Sequence, residues 1–242
     1  MEEKPRKPEL HLLLHNISKP RNSGMLIRSA AAFNATSVFL VARNKPKSLK
    51  KSKLFANFCL TFGDRGTARQ LDYCLLPSLK LAKAHFVEKG IRVVGVEIAE
   101  GAVPIEDYKF VQDTVIVLGN EGEGMSQNLR EICDDFVYVR QYSGRTASLN
   151  VAVCGGIVFH RFATFCGFEE NKFEGEKFVG EKGEGELKVI GTWDNEEEKH
   201  NGSSDPKEDA CPADLFEATG KEKAADDSEN SETHSLESEE KI

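Results

Sequence analysis

Residues 114–126 read Thr-Val-Ile-Val-Leu-Gly-Asn-Glu-Gly-Glu-Gly-Met-Ser. The first five form an unbroken aliphatic and β-branched run, the pattern of a strand buried on both faces. A glycine-rich loop follows at once, and residues 126–132 read as a short helix. A buried strand running straight into such a loop marks where open α/β sheets bind ligands, beyond the carboxyl ends of their strands. Glycines there let the backbone approach a ligand closely. The spacing Gly119-x-x-Gly122-x-Gly124 is not Gly-x-Gly-x-x-Gly, and without Gly-Lys-Ser/Thr the loop is not a phosphate cradle. Glu121 and Glu123 would repel a triphosphate but tolerate a positively charged ligand. By itself the segment also reads as an ordinary turn.

On either side of this stretch, strands alternate with helices. Residues 9–15, 37–42, 91–97 and 136–139 read as strands; residues 25–33, 79–89 and 148–165 read as helices, with Gly90 ending the second. This alternation predicts an α/β fold, a parallel sheet flanked by helices. No internal repeat is visible.

Two further segments carry candidate chemistry. Asn22-Ser-Gly-Met-Leu-Ile-Arg28 forms a turn after the first strand and enters a helix, with Asn22 or Ser23 as the expected N-cap. Arg28 would lie about one and a half turns into that helix. It reads either as a surface arginine or, among Ala-rich neighbours, as one with a partner. Ser148-Leu-Asn150 leads into an apolar helix, with Ser148 as its expected cap and Ala152, Gly155 and Gly156 allowing close packing.

Charge divides the chain near residue 166. Residues 1–166 hold 23 Lys and Arg against 16 Asp and Glu, a net of +7; residues 167–242 hold 9 against 24, a net of −15. The foldable part is therefore basic although the whole chain is acidic, and a basic domain suggests an anionic partner, nucleic acid first. A solvated basic surface is the plainer reading. Arg43, Lys45, Lys47, Lys50, Lys51 and Lys53 form a basic loop, and with Arg21 and Arg145 they are the candidate nucleic-acid contacts on charge grounds. Residues 167–242 are expected to be an acidic, disordered tail. Their apolar string Leu187, Val189, Ile190 and Trp193 either docks on the domain or serves a partner.

Six cysteines occur without Cys-x-x-Cys or a Cys/His cluster of zinc spacing, so no metal site is expected. No apolar stretch reaches the length of a membrane span. The acidic start Met1-Glu2-Glu3 argues against an Arg-rich transit peptide. The expected compartment is the cytoplasm, then the nucleus.

In this order and at domain-scale spacing, the three segments resemble the SpoU (TrmH-type) branch of the SPOUT RNA methyltransferases. The signatures stand here as Asn22-x-Gly24…Arg28, Leu118-Gly119-x-Glu121-Gly122-x-Gly124 and Ser148-Leu149-Asn150. The resemblance covers roughly residues 10–166. It implies a carboxyl-terminal trefoil knot that forms the pocket for S-adenosylmethionine, and a homodimer with the active site at the interface. It also implies 2′-O-methylation of a ribose in structured RNA, tRNA or rRNA. The cofactor would be held by backbone groups near Leu118, Gly119, Val139 and Leu149. Arg28 would be the catalytic arginine, as base or as oxyanion stabiliser, with Asn22, Glu121, Ser148 and Asn150 completing the site. Departures are Arg140-Gln141 where the family has Pro-Met, Asn34 where it has Gly, and an added Arg145. The competing readings are an RNA-binding protein of the same fold without catalysis and a nucleotide-binding regulatory domain.

Overall fold

The computed structural model describes residues 6–42, 46, 48–50, 53–55, 58, 60, 63–172 and 184–193. In chain order these give β1 (Leu10–Leu14), α1 (Pro20–Ala32), β2 (Ala35–Val41), a 3-10 turn (Thr67–Arg69), β3 (Asp72–Leu76) and α2 (Leu79–Lys89). Then come β4 (Arg92–Val96), β5 (Val103–Pro104), β6 (Thr114–Leu118), α3 (Gln127–Ile132), β7 (Asp135–Tyr138), α4 (Val151–Phe165) and β8 (Leu187–Val189). The strands form one sheet in the order β5-β7-β4-β6-β1-β2-β3-β8, and every pairing is parallel. The expected parallel α/β sheet flanked by helices is therefore what the chain adopts.

The central strands β1 and β6 pair from Leu10↔Thr114 to Leu13↔Val117, and both are buried along their whole length. Alternate residues feed two separate cores. Leu12, Leu14, Val38, Leu40, Ile116 and Leu118 face the side that includes Leu26, Phe159 and Phe162 of α1 and α4. Leu13, Phe39, Val115 and Val117 face Ala82 and Phe86 of α2 and Leu129 of α3. Full burial of each such side chain contributes about 1.5–3 kcal/mol. A one-residue slip of either central strand would exchange its two faces.

Two helix starts differ from the expected elements. α1 begins at Pro20 rather than near residue 25, and its N-cap is Lys19, not Asn22 or Ser23. Proline at the first helical position has a preset φ and needs no donor there. Arg28 consequently lies more than two turns into α1. α4 starts at Val151, and its cap is Asn150, not Ser148; the Asn150 Oδ1 accepts from the backbone of Ala152 and Val153. α2 matches the expected span, capped by Ser78 and closed by Gly90 at φ 66°. Asn34 sits at φ 61°, the left-handed conformation for which the family uses glycine.

Strands β3, β5 and β8 were not anticipated. β8 lies within the stretch expected to be an acidic tail, and it pairs with β3 from Tyr73↔Leu187 to Leu75↔Val189. Of the two readings of the apolar string, docking is the one observed. The Trp193 indole N–H donates to the carbonyl of Ala42 at 3.1 Å. A domain boundary at residue 166 leaves these residues out.

His11 is a buried polar residue in the sheet centre. It is 5% exposed, and its Nδ1 has no hydrogen-bond partner among the described residues. Burial lowers its pKa, against the pull of Glu9 and Asp113 and with the help of His85 and Arg6. The folded chain thus prefers neutral His11, while the unfolded chain takes up its proton near the ordinary 6.5. Stability from this group is present above that value and lost as pH falls through the lowered one. His11→Leu should flatten the decline of melting temperature between about pH 7 and about pH 5, read by circular dichroism melts. A decline as steep as in the parent chain would remove His11 as its source.

Candidate active site

All strands being parallel, the loops after β1, β6 and β7 open at the same sheet edge. β1 and β6 are neighbours, so the chain entering α1 meets the loop after β6. Glu121 makes the junction. Its Oε2 accepts from the Ser18 backbone N–H at 2.9 Å and the Ser18 hydroxyl at 2.8 Å. Its Oε1 accepts from the Lys19 N–H at 3.0 Å and the Asn22 side-chain amide at 2.8 Å. A carboxylate at the first turn of a helix also lies at the positive end of its dipole.

Partial burial pushes the Glu121 pKa upward. Donors from Asn22, its own backbone, Ser18 and Lys19 more than offset this, and the net shift is below the usual carboxylate range. The anionic junction is therefore present above the ordinary carboxylate pKa and lost only as pH falls through the lowered value.

The line of contacts continues. Asn150 Nδ2 donates to Asn22 Oδ1 at 3.2 Å. Residues 22, 121 and 150, one from each signature segment, thus form one hydrogen-bonded chain. Asn22 is 5% exposed, so its amide is committed to these two partners.

Within the loop, Asn120 and Gly124 exchange both backbone hydrogen bonds, at 2.8 and 2.9 Å. The Asn120 Oδ1 accepts from the Gly122 and Glu123 N–H groups, and its amide donates to the Asn16 carbonyl. The turn is so tight that a Cβ on Gly119 would lie 2.6 Å from the Gly124 carbonyl carbon. Gly124 itself sits at φ +73°. Helix packing is equally close: a Cβ on Gly155 would meet a Leu26 methyl at 2.4 Å.

The remaining expected residues fall as follows. Leu118 is buried at the end of β6; Gly119 and Val139 are half-buried, and Leu149 is exposed. No backbone hydrogen bond links Gly119, Val139 or Leu149 to another described residue. Ser148 is exposed. Arg28 is exposed and has no ion pair or hydrogen bond among the described residues. It stands six residues beyond Asn22, which rotates it about 120° away from the Asn22–Glu121 contact. Arg21, Lys50, Lys53 and Arg145 are exposed, whereas Arg43, Lys45, Lys47 and Lys51 lie outside the described residues. Arg140 turns to Glu106 and Asp107, at 3.4 and 2.7 Å. Glu97, at the end of β4, was missed; it accepts from the Met125 N–H at 3.0 Å. An acidic residue closing an apolar strand at the sheet's carboxyl edge was its only signal. Among the described residues no His, Cys, Asp and Glu cluster could hold a metal, and no helix is long and apolar enough to cross a membrane.

This geometry agrees with the matches to known proteins. The SpoU rRNA Methylase family model matches residues 9–160, and the chain belongs to that family. A protein of Mycobacterium ulcerans described as an uncharacterized tRNA/rRNA methyltransferase is 34% identical over 156 residues, 64% of this chain and 47% of that protein. The chain spans about half the length of the curated relatives it matches. The SpoU methyltransferase AviRb of Streptomyces viridochromogenes, solved in complex with AdoMet, superposes with a TM-score of 0.53 at 24% identity, covering 66% of this chain and 59% of that one. The TrmH/SpoU tRNA modifying enzyme of A. aeolicus gives 0.52 at 19% identity, covering 68% and 77%. At such identities these two share the fold.

Asn22→Ala removes both the donor to Glu121 and the acceptor for Asn150. The unfolding free energy should fall by about 1–3 kcal/mol, measured by urea denaturation. An unchanged midpoint and slope would show that the chain of contacts bears no load.

Proposed function

We propose that this protein transfers a methyl group from S-adenosylmethionine to the 2′-hydroxyl of a ribose in structured RNA, either tRNA or rRNA. The observation that carries the reading is the hydrogen-bonded chain Glu121–Asn22–Asn150, which gathers three segments distant in sequence around the tight loop after β6. Membership of the SpoU methylase family supports the reaction class. Unpaired backbone groups at Gly119, Val139 and Leu149 fit a ligand held mainly by main chain, as the resemblance implies for this cofactor.

When bound, the cofactor would supply an electrophilic methyl on a sulfonium. This chain's residues divide the remaining work. Asn22, Glu121 and Asn150 fix the three segments, since their polar atoms are engaged with one another and with backbone. Ser148, exposed two residues before the Asn150 cap, would orient the ribose hydroxyl. Arg28 would pin a phosphate and stabilise the oxyanion as the ribose proton leaves. A guanidinium is protonated at any ordinary pH, which favours this role over that of base.

Helical rotation carries Arg28 about 120° away from the Asn22 contact with its own chain's loop, which suits a site completed by a second copy. Met25 on α1 and Val153 and Ile157 on α4 are apolar and 37–49% exposed. We therefore read α1 and α4 as the homodimer face, with Arg28 serving the partner's loop. The trefoil knot belongs to the same reading. Its support is the path after β7, which lies beside β4, whereas α4 packs on α1 and β1. Residues 139–150 must therefore cross the carboxyl ends of β4 and β6. Exposed Arg21, Lys50, Lys53 and Arg145 would meet RNA phosphates, together with the basic sequence at 43–51. The cytoplasm, then the nucleus, is the compartment we assign. The Cys133 and Cys154 thiols, pushed by burial up to about 12 and about 11, would remain inert there.

Mapping 2′-O-methylated sites across total RNA with and without the protein should show a discrete loss; an unchanged map would sink the reading. Arg28→Ala should lower methyl transfer by about a thousandfold or more while cofactor binding, by calorimetry, stays within about threefold. Near-normal transfer by that variant would take Arg28 out of the reaction.

A further inference from the structure

Glu97 and Arg130 grip the same residue from two sides. Glu97 Oε2 accepts from the Met125 N–H at 3.0 Å, and Arg130 Nε donates to the Met125 carbonyl at 3.1 Å. The two side chains also form an ion pair, with Arg130 3.7 Å from the same Oε2. Both backbone polar groups of one residue are thus taken up by a charged pair that joins the end of β4 to α3. Met125 is the first residue after the glycine loop, and its side chain is 4% exposed in the core under α2 and α3.

The neighbouring geometry ties this grip to the loop. A Cβ on Gly124 would come within 3.1 Å of Glu97 Oε2, and a Cβ on Gly119 within 2.7 Å of the Met125 nitrogen. The carboxylate, the closing end of the loop and its opening end therefore lie in successive contact. Hydrogen bonds to a charged group hold geometry more strongly than neutral ones.

We propose that Glu97, backed by Arg130, is a positioning residue that locks the return limb of the Gly119–Gly124 loop in its cofactor-receiving shape. Glu121 secures the outer side of the loop to α1; Glu97 secures its inner end to β4. With both ends fixed before a ligand arrives, binding need not order the loop. The proposal rests on the methyltransferase reading, because it concerns the affinity of that loop for S-adenosylmethionine.

The test uses the full chain, S-adenosylmethionine and the methyl-accepting RNA. Glu97→Ala should raise the cofactor dissociation constant and KM by about tenfold or more, with kcat at saturating cofactor within about twofold. Glu97→Gln keeps an acceptor for the Met125 N–H and should bind within about threefold of the parent chain. Cofactor affinity unchanged in Glu97→Ala, or a loss in Glu97→Gln as large as in Glu97→Ala, would overturn the proposal. If Glu97→Ala does not fold, Arg130→Met keeps the packed stem and removes the donor to Met125; it should weaken binding by about threefold or more, and parent-like binding would overturn the proposal. A parent chain that binds no S-adenosylmethionine would instead defeat the functional reading.

Discussion

The amide of Asn22 is the point on which the site depends. It donates to a carboxylate, which can only accept, and it accepts from the Asn150 amide, whose own oxygen is occupied by the backbone N–H groups of α4. Each orientation in this chain is forced by the next. Aspartate at 22 would set two carboxylates against each other, and leucine would remove both the donor to Glu121 and the acceptor for Asn150. Only a side chain that both donates and accepts, at this reach, joins the segment before α1, the loop after β6 and the cap of α4.

That requirement explains how local sequence choices combine. Pro20 starts α1 early enough to bring residue 22 into its first turn. Gly119 and Gly124 let the loop fold back until its ends touch, which presents the Glu121 carboxylate to the incoming helix. Gly155 lets α4 approach α1 to side-chain contact with Leu26, so that the Asn150 cap reaches Asn22. The parallel sheet supplies the common edge. Two kinds of precision meet here: apolar packing sets the distance between helices, and the amide chain sets their register.

The sheet and much of the site could be read from the chain because their signals are local. The run over residues 114–118 could be little other than a buried strand, and Ser78 and Gly90 bound α2 by ordinary capping chemistry. Helix starts at α1 and α4 were misplaced because Asn22 and Ser148 look like caps, whereas Lys19, whose N–H donates to Glu121, and Asn150, whose Oδ1 accepts from the Ala152 and Val153 N–H groups, hold those positions. β5 and β8 are only two and three residues long, and β8 has a partner only once the sheet exists. Glu97 was illegible for the same reason: its partner, Met125, is 28 residues away. Asn22, Glu121 and Asn150 were found as members of a pattern, but their contacts with each other needed the fold.

The eighth strand alters how the molecule meets its surroundings. Without it, β3 would offer a row of unpaired amides and carbonyls ending at Leu76, a ready template for a strand from another molecule. β8 fills that row, the Ile190 N–H reaches the Leu75 carbonyl, and the tryptophan latches onto Ala42. β8 itself carries Lys188 beside the exposed Val189, so the new margin is short and charged. Residues distant from the candidate site thus act as a hem along the margin of a sheet rich in aliphatic side chains.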